Sequence, residues 1–179
     1  MNTEEHDGLA IEIIEIDPEE SHLVATKLAH DPSGLAATGN EVPGDIASMR
    51  QLIKDSLRNG RRLWRVPLGD DYYAAIVGDD PFDQTEQRRL FIWLEPSHRG
   101  DDLGIRVVAE AVRQLECEGR ERLVALPPRS NYAALRIFNA LEFTYLGESD
   151  PELSGRNVER VIFEHRPAGG VRSNTRLWR

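Results

Sequence analysis

Residues 90–115 read LFIWLEPSHRGDDLGIRVVAEAVRQL, and this stretch decides the fold of the chain. It begins with an apolar run, passes through a turn that contains Gly100 and Gly104, and then takes up helical periodicity. A strand that leads through such a turn into a helix can hold a phosphate, because the first helix amides lack intrahelical partners and lie at the positive end of the helix dipole. An ordinary structural turn explains the same pattern, so the stretch alone leaves both interpretations open.

The composition is that of a folded protein of ordinary size. The 179 residues suffice for one domain with a full core, and 40% of them are hydrophobic. The apolar runs are far shorter than the roughly 20 residues that cross a bilayer, and residues 1–9 contain no apolar signal region. Cys117 is the only cysteine, which excludes an internal disulfide and a cysteine-based zinc site. We therefore expect a cytoplasmic protein with no membrane contact and no metal.

The charge balance is acidic, with 31 Asp and Glu against 22 Lys and Arg and a net charge of -9. Proteins that bind nucleic acid usually present a basic surface, so the composition predicts no nucleic-acid partner. An acidic surface suits a cationic acceptor such as an amine, although solubility explains it equally well.

Upstream of the deciding stretch, the pattern predicts one strand, two helices and an antiparallel meander of three strands. Apolar residues alternate with glutamates in the strand, and an Asp-Pro pair at Asp17 opens the first helix. Residues 31–44 are rich in glycine, proline and small residues, which predicts a loop. The predicted bounds are 10–16 for the strand, 17–30 and 45–58 for the helices, and 62–67, 72–77 and 88–94 for the meander.

Downstream, the pattern predicts a single α/β domain over residues 1–166. A helix at 102–118 precedes the continuous apolar run 122–126, which is typical of a strand buried on both faces. The remaining predicted elements are a helix at 131–141 and strands at 143–147 and 158–165. Residues 167–179 contain glycines and cations but no acids, and we expect them to form a basic, mobile tail. The predicted order is β-α-α-β-β-β-α-β-α-β-β.

This order and two motifs resemble the GCN5-related N-acetyltransferase (GNAT) family over roughly residues 11–166. The first family motif is Arg/Gln-x-x-Gly-x-Gly/Ala at the start of the central helix, after a strand and a proline. Residues 99–104, RGDDLG, match it and follow Pro96. The second motif has an Asn, a small residue and an aromatic residue on the next helix and closes with Gly-Phe, which residues 131–143, NYAALRIFNALEF, match in part. The resemblance implies a GNAT-like domain with a mixed central sheet.

The resemblance also implies an acyltransferase that moves an acetyl group from acetyl-coenzyme A (acetyl-CoA) to an amine by direct attack. Family members cradle the pyrophosphate with the amides of the first motif and pair pantetheine with a strand edge. Here that edge would lie near Leu94, and an amide near Leu94 would polarise the thioester carbonyl. Asn131 would contact the coenzyme from the next helix. The implied coenzyme-binding residues are Leu94, Pro96, Arg99, Gly100, Asp101, Asp102, Leu103, Gly104, Ile105 and Asn131.

Two residues depart from the family pattern. Asp102 stands where the family has glycine. Its carboxylate is expected either to cap the helix or to repel a bound phosphate. At a carboxylate–phosphate separation of about 5 Å and an effective dielectric of about 20, that repulsion costs about 3 kcal/mol. Phe138 stands where many members have a tyrosine that protonates the departing thiolate. Tyr132 and Tyr145 are substitutes for that acid, although ordinary packing explains both. A non-catalytic GNAT-fold binding or regulatory module with weakened or lost CoA binding is therefore the alternative function.

Glu95 is the first candidate for the general base, because it lies at the strand end where an acceptor amine would approach. A solvated residue before a proline explains Glu95 as well, and His98 is the second candidate. The acceptor is left open between a small-molecule amine and a peptide or protein amine. Dimers are common in proteins of this kind, so a homodimer is a further expectation that rests on the resemblance.

Overall fold

The computed structural model describes residues 11–37, 43–81, 87–120, 122–149 and 159–166. Seven strands form one sheet: β1 Ile14–Glu15, β2 Arg62–Leu68, β3 Asp71–Pro81, β4 Arg88–Leu94, β5 Leu123–Ala125, β6 Thr144–Glu148 and β7 Val161–His165. The α-helices are α1 Ser21–Ala29, α2 Pro32–Ala37, α3 Ile46–Arg58, α4 Leu103–Cys117 and α5 Tyr132–Ala140, and 3-10 turns cover Pro18–Glu20 and Pro96–His98. The predicted α/β class is confirmed.

The sheet is mixed, with strand order β1-β2-β3-β4-β5-β7-β6. β2, β3 and β4 form the predicted antiparallel meander, β1 pairs antiparallel with β2, and β7 pairs antiparallel with both β5 and β6. Between these two groups, β4 and β5 run parallel. A parallel pair needs a crossover connection, and α4 provides it. The deciding stretch therefore joins the two halves of the sheet.

Alternating residues of β4 serve two cores, one on each face of the sheet. Leu90, Ile92 and Leu94 belong to the core beneath α4 and α5. Phe91 and Trp93 belong to the core beneath α1 and α3. The three residues of β5 are all buried, which confirms the prediction drawn from its continuous apolar run.

Ion pairs close the end of the sheet where β4 begins. Asp79 is fully buried in β3 and pairs with Arg62 of β2 at 3.2 Å and with Arg88 of β4. The next residue, Asp80, pairs with Arg61 at 2.5 Å and with Arg89 at 2.6 Å. A buried carboxylate is tolerated when it is paired and hydrogen-bonded in this way. These contacts tie three adjacent strands together at one end.

Two elements differ from the sequence-based prediction. The strand predicted over 10–16 is reduced to Ile14–Glu15 within the described residues, because in this register the partner of Glu12 would be Pro67, which has no N–H and adjoins a bulge in β2. The predicted loop 31–44 contains the helix α2, which begins after Asp31. Residues 38–42 of the predicted loop and residues 167–179 of the predicted tail lie outside the described residues.

Candidate functional site

The backbone edge of β4 is uncovered near its carboxyl end. Register pairing with β5 stops at Leu90 and Ala125, although β4 continues to Leu94. The Glu95 N–H donates to the Ala74 carbonyl of β3 at 3.0 Å. Because successive peptide groups of a strand point to opposite sides, the N–H groups of Ile92 and Leu94 face the side that β5 has left. This is the strand edge that the sequence analysis expected near Leu94.

The turn between β4 and α4 leaves the first amides of the helix open. Asp102 has φ 54° and ψ 4°, a left-handed conformation, and its side chain makes no capping hydrogen bond. The expectation that the Asp102 carboxylate caps the helix is therefore wrong. The first hydrogen bond within the helix runs from the Arg106 N–H to the Asp102 carbonyl, at 3.2 Å. The N–H groups of residues 103–105 therefore have no acceptor within the helix. An anion can bind at such a terminus.

Both non-glycine residues with positive φ in the described part of the chain stand where the two family motifs have glycine. These residues are Asp102, with φ 54°, and Glu142, with φ 58°. A left-handed backbone is unfavourable for residues with a Cβ, although Asp tolerates it better than most. At both of these positions the chain therefore has a left-handed backbone at a residue that carries a Cβ.

Gly104 contributes to the site through packing. A Cβ at this position would lie 2.6 Å from Cδ1 of Ile137 in α5 and 3.2 Å from Cδ1 of Leu94. The absence of a side chain therefore brings the start of α4 against both α5 and the end of β4.

The Arg99 side chain is bound at the end of β4. Its Nε and Nη2 donate to the Leu94 carbonyl at 3.1 and 2.9 Å, and Nη2 also pairs with the Asp31 carboxylate. Asp31 is buried, and its Oδ2 accepts from the Trp93 indole N–H at 2.8 Å. Its Oδ1 accepts from the Gly34 N–H, so the same carboxylate starts α2. Asp31 was not predicted as a site residue, although an Asp followed by Pro32 is a recognised helix start.

Opposing effects set the charge state of Asp31. Burial acts to raise its pKa, but the hydrogen bonds from the Gly34 amide, the Trp93 indole, Arg99 and Ser33 outweigh burial and hold the pKa below the usual 3.8. Asp31 is therefore an anion at neutral pH, and Arg99 is its counterion.

Asn131 connects α5 to α2. Its Oδ1 accepts from the Ala134 N–H at 3.1 Å, which caps α5, and its Nδ2 donates to the Ala37 carbonyl at 2.9 Å. Since Arg99 contacts Asp31 at the start of α2, the two motif residues hold opposite ends of this short helix. The structure thereby links the two predicted motifs through an element that was predicted to be loop.

Glu95 belongs to a charged cluster at the end of β4 that includes Lys27 of α1 and Asp71 of β3. Its Oε2 lies 3.1 Å from Nζ of Lys27, which also lies 3.1 Å from Oδ1 of Asp71. His98, the second predicted base, lies 3.4 Å from Asp71 through Nε2. Burial acts to lower the pKa of Lys27, but the bonds to Asp71 and Glu95 outweigh it and raise the pKa above 10.5. Lys27 is therefore a cation shared by two carboxylates.

The aromatic residues divide between the core and the surface. Phe138 is buried, with its ring centroid 5.1 Å from that of Phe143 and 5.9 Å from that of Phe163, so it is a core residue. Tyr132 is 76% exposed, which contradicts ordinary packing at that position. Tyr145 is 54% exposed but meets the edge of Phe163 at 5.9 Å.

Among the residues that the structure describes, no group of three or more His, Cys, Asp and Glu side chains is arranged to hold a metal ion. Over the same residues, no helix combines the length and the apolar character needed to span a bilayer.

The split beside β4, the parallel β4–β5 pair and the turn into α4 define the fold class: the chain has the fold of the GCN5-related N-acetyltransferases. No protein-family model matches the sequence, and no curated protein matches it. The likeness is therefore one of structure.

Three solved structures illustrate it. RimL, a ribosomal L7/L12 α-N-protein acetyltransferase solved with coenzyme A, has a TM-score of 0.74 at 12% identity, over 88% of this chain and 94% of that one. A phosphinothricin acetyltransferase from Sinorhizobium meliloti, solved with acetyl-CoA, has a TM-score of 0.71 at 16% identity, over 93% and 98%. The ribosomal-protein-S5-alanine acetyltransferase from Vibrio fischeri has a TM-score of 0.70 at 14% identity, over 89% and 94%.

Proposed function

We propose that this protein is an acetyl-CoA-dependent N-acetyltransferase. The observation that carries the proposal is the uncovered edge of β4 beside the open amides of α4. These features offer a hydrogen-bonding edge for the pantetheine amides and an anion site for the pyrophosphate at one end of one sheet. Structures of the same fold contain acetyl-CoA or coenzyme A, which supports this choice of donor.

The donor site we propose comprises the strand end, the turn and the helix start, with Asn131 from α5. Leu94 would contribute its N–H to the thioester carbonyl, and the amides of residues 103–105 would bind phosphate oxygens. Pro96 begins the 3-10 turn that carries the chain from β4 to Arg99 and Gly100. Asp101 and Asp102 are exposed there, so they place negative charge beside the proposed phosphate site.

In the proposed reaction, the unprotonated acceptor nitrogen attacks the thioester carbonyl carbon, and the negative charge on its oxygen is stabilised by the Leu94 amide. The C–S bond then breaks, coenzyme A leaves as a thiolate, and the nitrogen gives up its extra proton. Phe138 has no hydroxyl and is buried, so it does not protonate the thiolate. Water or the exposed Tyr132 would supply that proton.

Glu95 is our proposed acceptor for the amine proton. It immediately follows Leu94, and its carboxylate is three-quarters buried beside Lys27. Because Lys27 also pairs with Asp71, the cation has a second partner when Glu95 turns to an incoming amine. Two carboxylates around one lysine leave the cluster with net negative charge, which favours a cationic acceptor.

Calorimetric titration with acetyl-CoA, with free coenzyme A as the second ligand, tests the donor site. We expect micromolar binding, followed by acetyl transfer detected by mass spectrometry in a panel of small amines and peptide N-termini. The panel matters because the structural neighbours include enzymes for phosphinothricin and for ribosomal proteins. Absence of binding at millimolar acetyl-CoA would contradict the proposal.

Glu95→Gln tests the base, with Asp71→Asn as the matched control that removes the other carboxylate on Lys27. We expect Glu95→Gln to lower the rate by about 100-fold and to change the pH–rate profile, because general bases typically contribute this much. Asp71→Asn should retain the shape of the wild-type profile. A Glu95→Gln profile that matches the wild type would remove Glu95 from the mechanism.

A non-catalytic GNAT-fold module is the second candidate function. Two observations favour it: Arg99 already occupies the Leu94 carbonyl, and Phe138 lacks the hydroxyl of a family acid. This candidate predicts coenzyme binding without transfer to any amine, or no coenzyme binding. Acetyl transfer by the wild-type protein to any amine of the panel would argue against it.

A further inference from the structure

Asp31 lies outside both motifs, yet it is the most heavily hydrogen-bonded carboxylate near the proposed donor site. It is only 5% exposed and accepts from the Gly34 amide at 3.0 Å, from the Ser33 hydroxyl at 3.0 Å and from the Trp93 indole at 2.8 Å. The Arg99 guanidinium is the fourth donor. Capping of α2 needs only the bond from the Gly34 amide. It does not account for the bonds from Ser33, Trp93 and Arg99.

The contact between Asp31 and Arg99 reaches the backbone of β4. The guanidinium donates to the Leu94 carbonyl through Nε and Nη2, and the Leu94 carbonyl shares its peptide group with the Glu95 N–H. That N–H donates to Ala74 of β3 at 3.0 Å. The peptide group is therefore held from both sides: by the sheet on one side and by Arg99 on the other.

This arrangement needs space that Gly34 provides. A Cβ on Gly34 would overlap the Asp31 carboxylate and would lie 2.5 Å from Nη2 of Arg99. The Arg99 side chain is 40% exposed, so without Asp31 it would have solvent as an alternative partner. A charge-assisted hydrogen bond to a buried carboxylate fixes the guanidinium in one position.

We infer that Asp31 is a positioning residue of the donor site: through Arg99 it holds the peptide that follows Leu94 and so constrains the backbone conformation of Leu94, whose own N–H, on the preceding peptide, is to polarise the thioester. This inference rests on the proposed function. An amide that is already aimed at the developing oxyanion stabilises the transition state without reorganisation, whereas a peptide group free to rotate does not.

The experiment is a double-mutant cycle of Asp31→Asn and Arg99→Gln on the full chain. Isothermal titration gives the acetyl-CoA affinity, and infrared spectroscopy of acetyl-CoA labelled with 13C at the thioester carbonyl reports how strongly the protein polarises that carbonyl. Asp45→Asn is the matched control, because Asp45 caps α3 through the Ser48 amide at 2.8 Å and has no arginine partner among the described residues. Urea unfolding of each variant verifies that it is folded.

We expect each single substitution to weaken acetyl-CoA binding by about 10-fold, as befits loss of one charge-assisted hydrogen bond, and to move the carbonyl band toward that of free acetyl-CoA. The double variant should be no worse than Arg99→Gln alone, because Asp31 acts through Arg99. Asp45→Asn should match the wild type. Additive losses, or an unmoved band in Asp31→Asn, would overturn the inference.

Gly34→Ala is the second route if Asp31→Asn does not fold. It keeps both charged groups but fills the space beside the guanidinium, and we expect the same shift of the carbonyl band. A wild-type band in this variant, with a crystal structure showing that Arg99 has left the Leu94 carbonyl, would overturn the inference. Absence of acetyl-CoA binding by the wild-type protein would instead contradict the proposed function itself, so the two failures are distinguishable.

Discussion

Replacing Glu142 with glycine should stabilise this protein, although it removes a side chain. Glu142 follows the end of α5 with φ 58°, its N–H donates to the Asn139 carbonyl at 3.1 Å, and the Phe143 N–H donates to the Phe138 carbonyl at 3.0 Å. This pair of bonds is the Schellman ending, in which the left-handed position is normally glycine. The Glu142 side chain is exposed, so its removal costs little packing.

The size of the effect follows from two opposing contributions. A left-handed residue with a Cβ is unfavourable by about 1–2 kcal/mol, and glycine avoids this. Glycine also makes the unfolded chain more flexible, which offsets about 0.5–1 kcal/mol of that gain. We expect a net gain of about 0.5–1 kcal/mol in the free energy of unfolding. With a urea slope of about 2 kcal/mol per molar, the unfolding midpoint should rise by about 0.25–0.5 M.

The chain offers a reciprocal control at the end of α4. Gly119 has φ 77° and takes part in the same two bonds, from its own N–H to Glu116 at 2.9 Å and from Arg120 to Leu115 at 2.9 Å. Gly119→Glu should therefore lower the midpoint by a similar amount, while Glu142→Gln should leave it unchanged. Urea unfolding followed by tryptophan fluorescence measures all three variants. A Glu142→Gly midpoint at or below that of the wild type, with an unchanged slope, would refute this reasoning.

Three further predictions concern the turn between β4 and α4 and the response of the protein to acid. Asp102→Asn should strengthen acetyl-CoA binding by about 4-fold if water screens the carboxylate and by up to about 200-fold at a dielectric of about 20; an unchanged dissociation constant at low salt would contradict this. Gly104→Ala should lower the free energy of unfolding by about 1–3 kcal/mol, because its Cβ would overpack Ile137; a urea midpoint equal to that of the wild type would count against it. Stability should fall below about pH 5. Burial acts to raise the pKa of Glu164, but Arg166 and Arg122 outweigh it, so that Glu164, like Asp31, has a lowered pKa. Both carboxyl groups bind fewer protons in the folded protein than in the unfolded chain. The stability that they add is therefore fully present at a pH above their ordinary pKa values of 3.8 and 4.5, and it is lost as the pH falls through their lower pKa values in the folded protein. A pH titration of the urea midpoint checks this, and a flat profile down to pH 2 would contradict it.

Apart from α2, the order of strands and helices could be predicted from the sequence because each element carries its own periodicity. The continuous apolar run of β5 predicted a strand buried on both faces, and the meander was predicted from its turns. The bounds of β1 could not be predicted, because Pro67, which would lie opposite it, belongs to another strand. Local patterns determine the kind of element, whereas pairing partners determine where it ends.

The turn between β4 and α4 could be located from the sequence, but its contacts could not. Motif spacing predicted the turn around Asp102, and the structure corrects the role of that carboxylate. Asp31 was missed because its importance comes from Arg99, 68 residues away. No local signal reports a contact of that range. The assignment of Glu95 and of the coenzyme-binding residues stays a prediction.

The ion pairs around Asp79 have a mechanical consequence for the gap beside β4. They clamp β2, β3 and β4 where β4 begins, and the Arg88–Leu123 pair adds β5 at that same end. At the other end, β4 and β5 share no register pair beyond Leu90. The edge of β4 beyond Leu90 is therefore presented by a strand that ion pairs hold at its start and that β3 pairs with along its other side, so a ligand that pairs with this edge meets a strand already fixed in place.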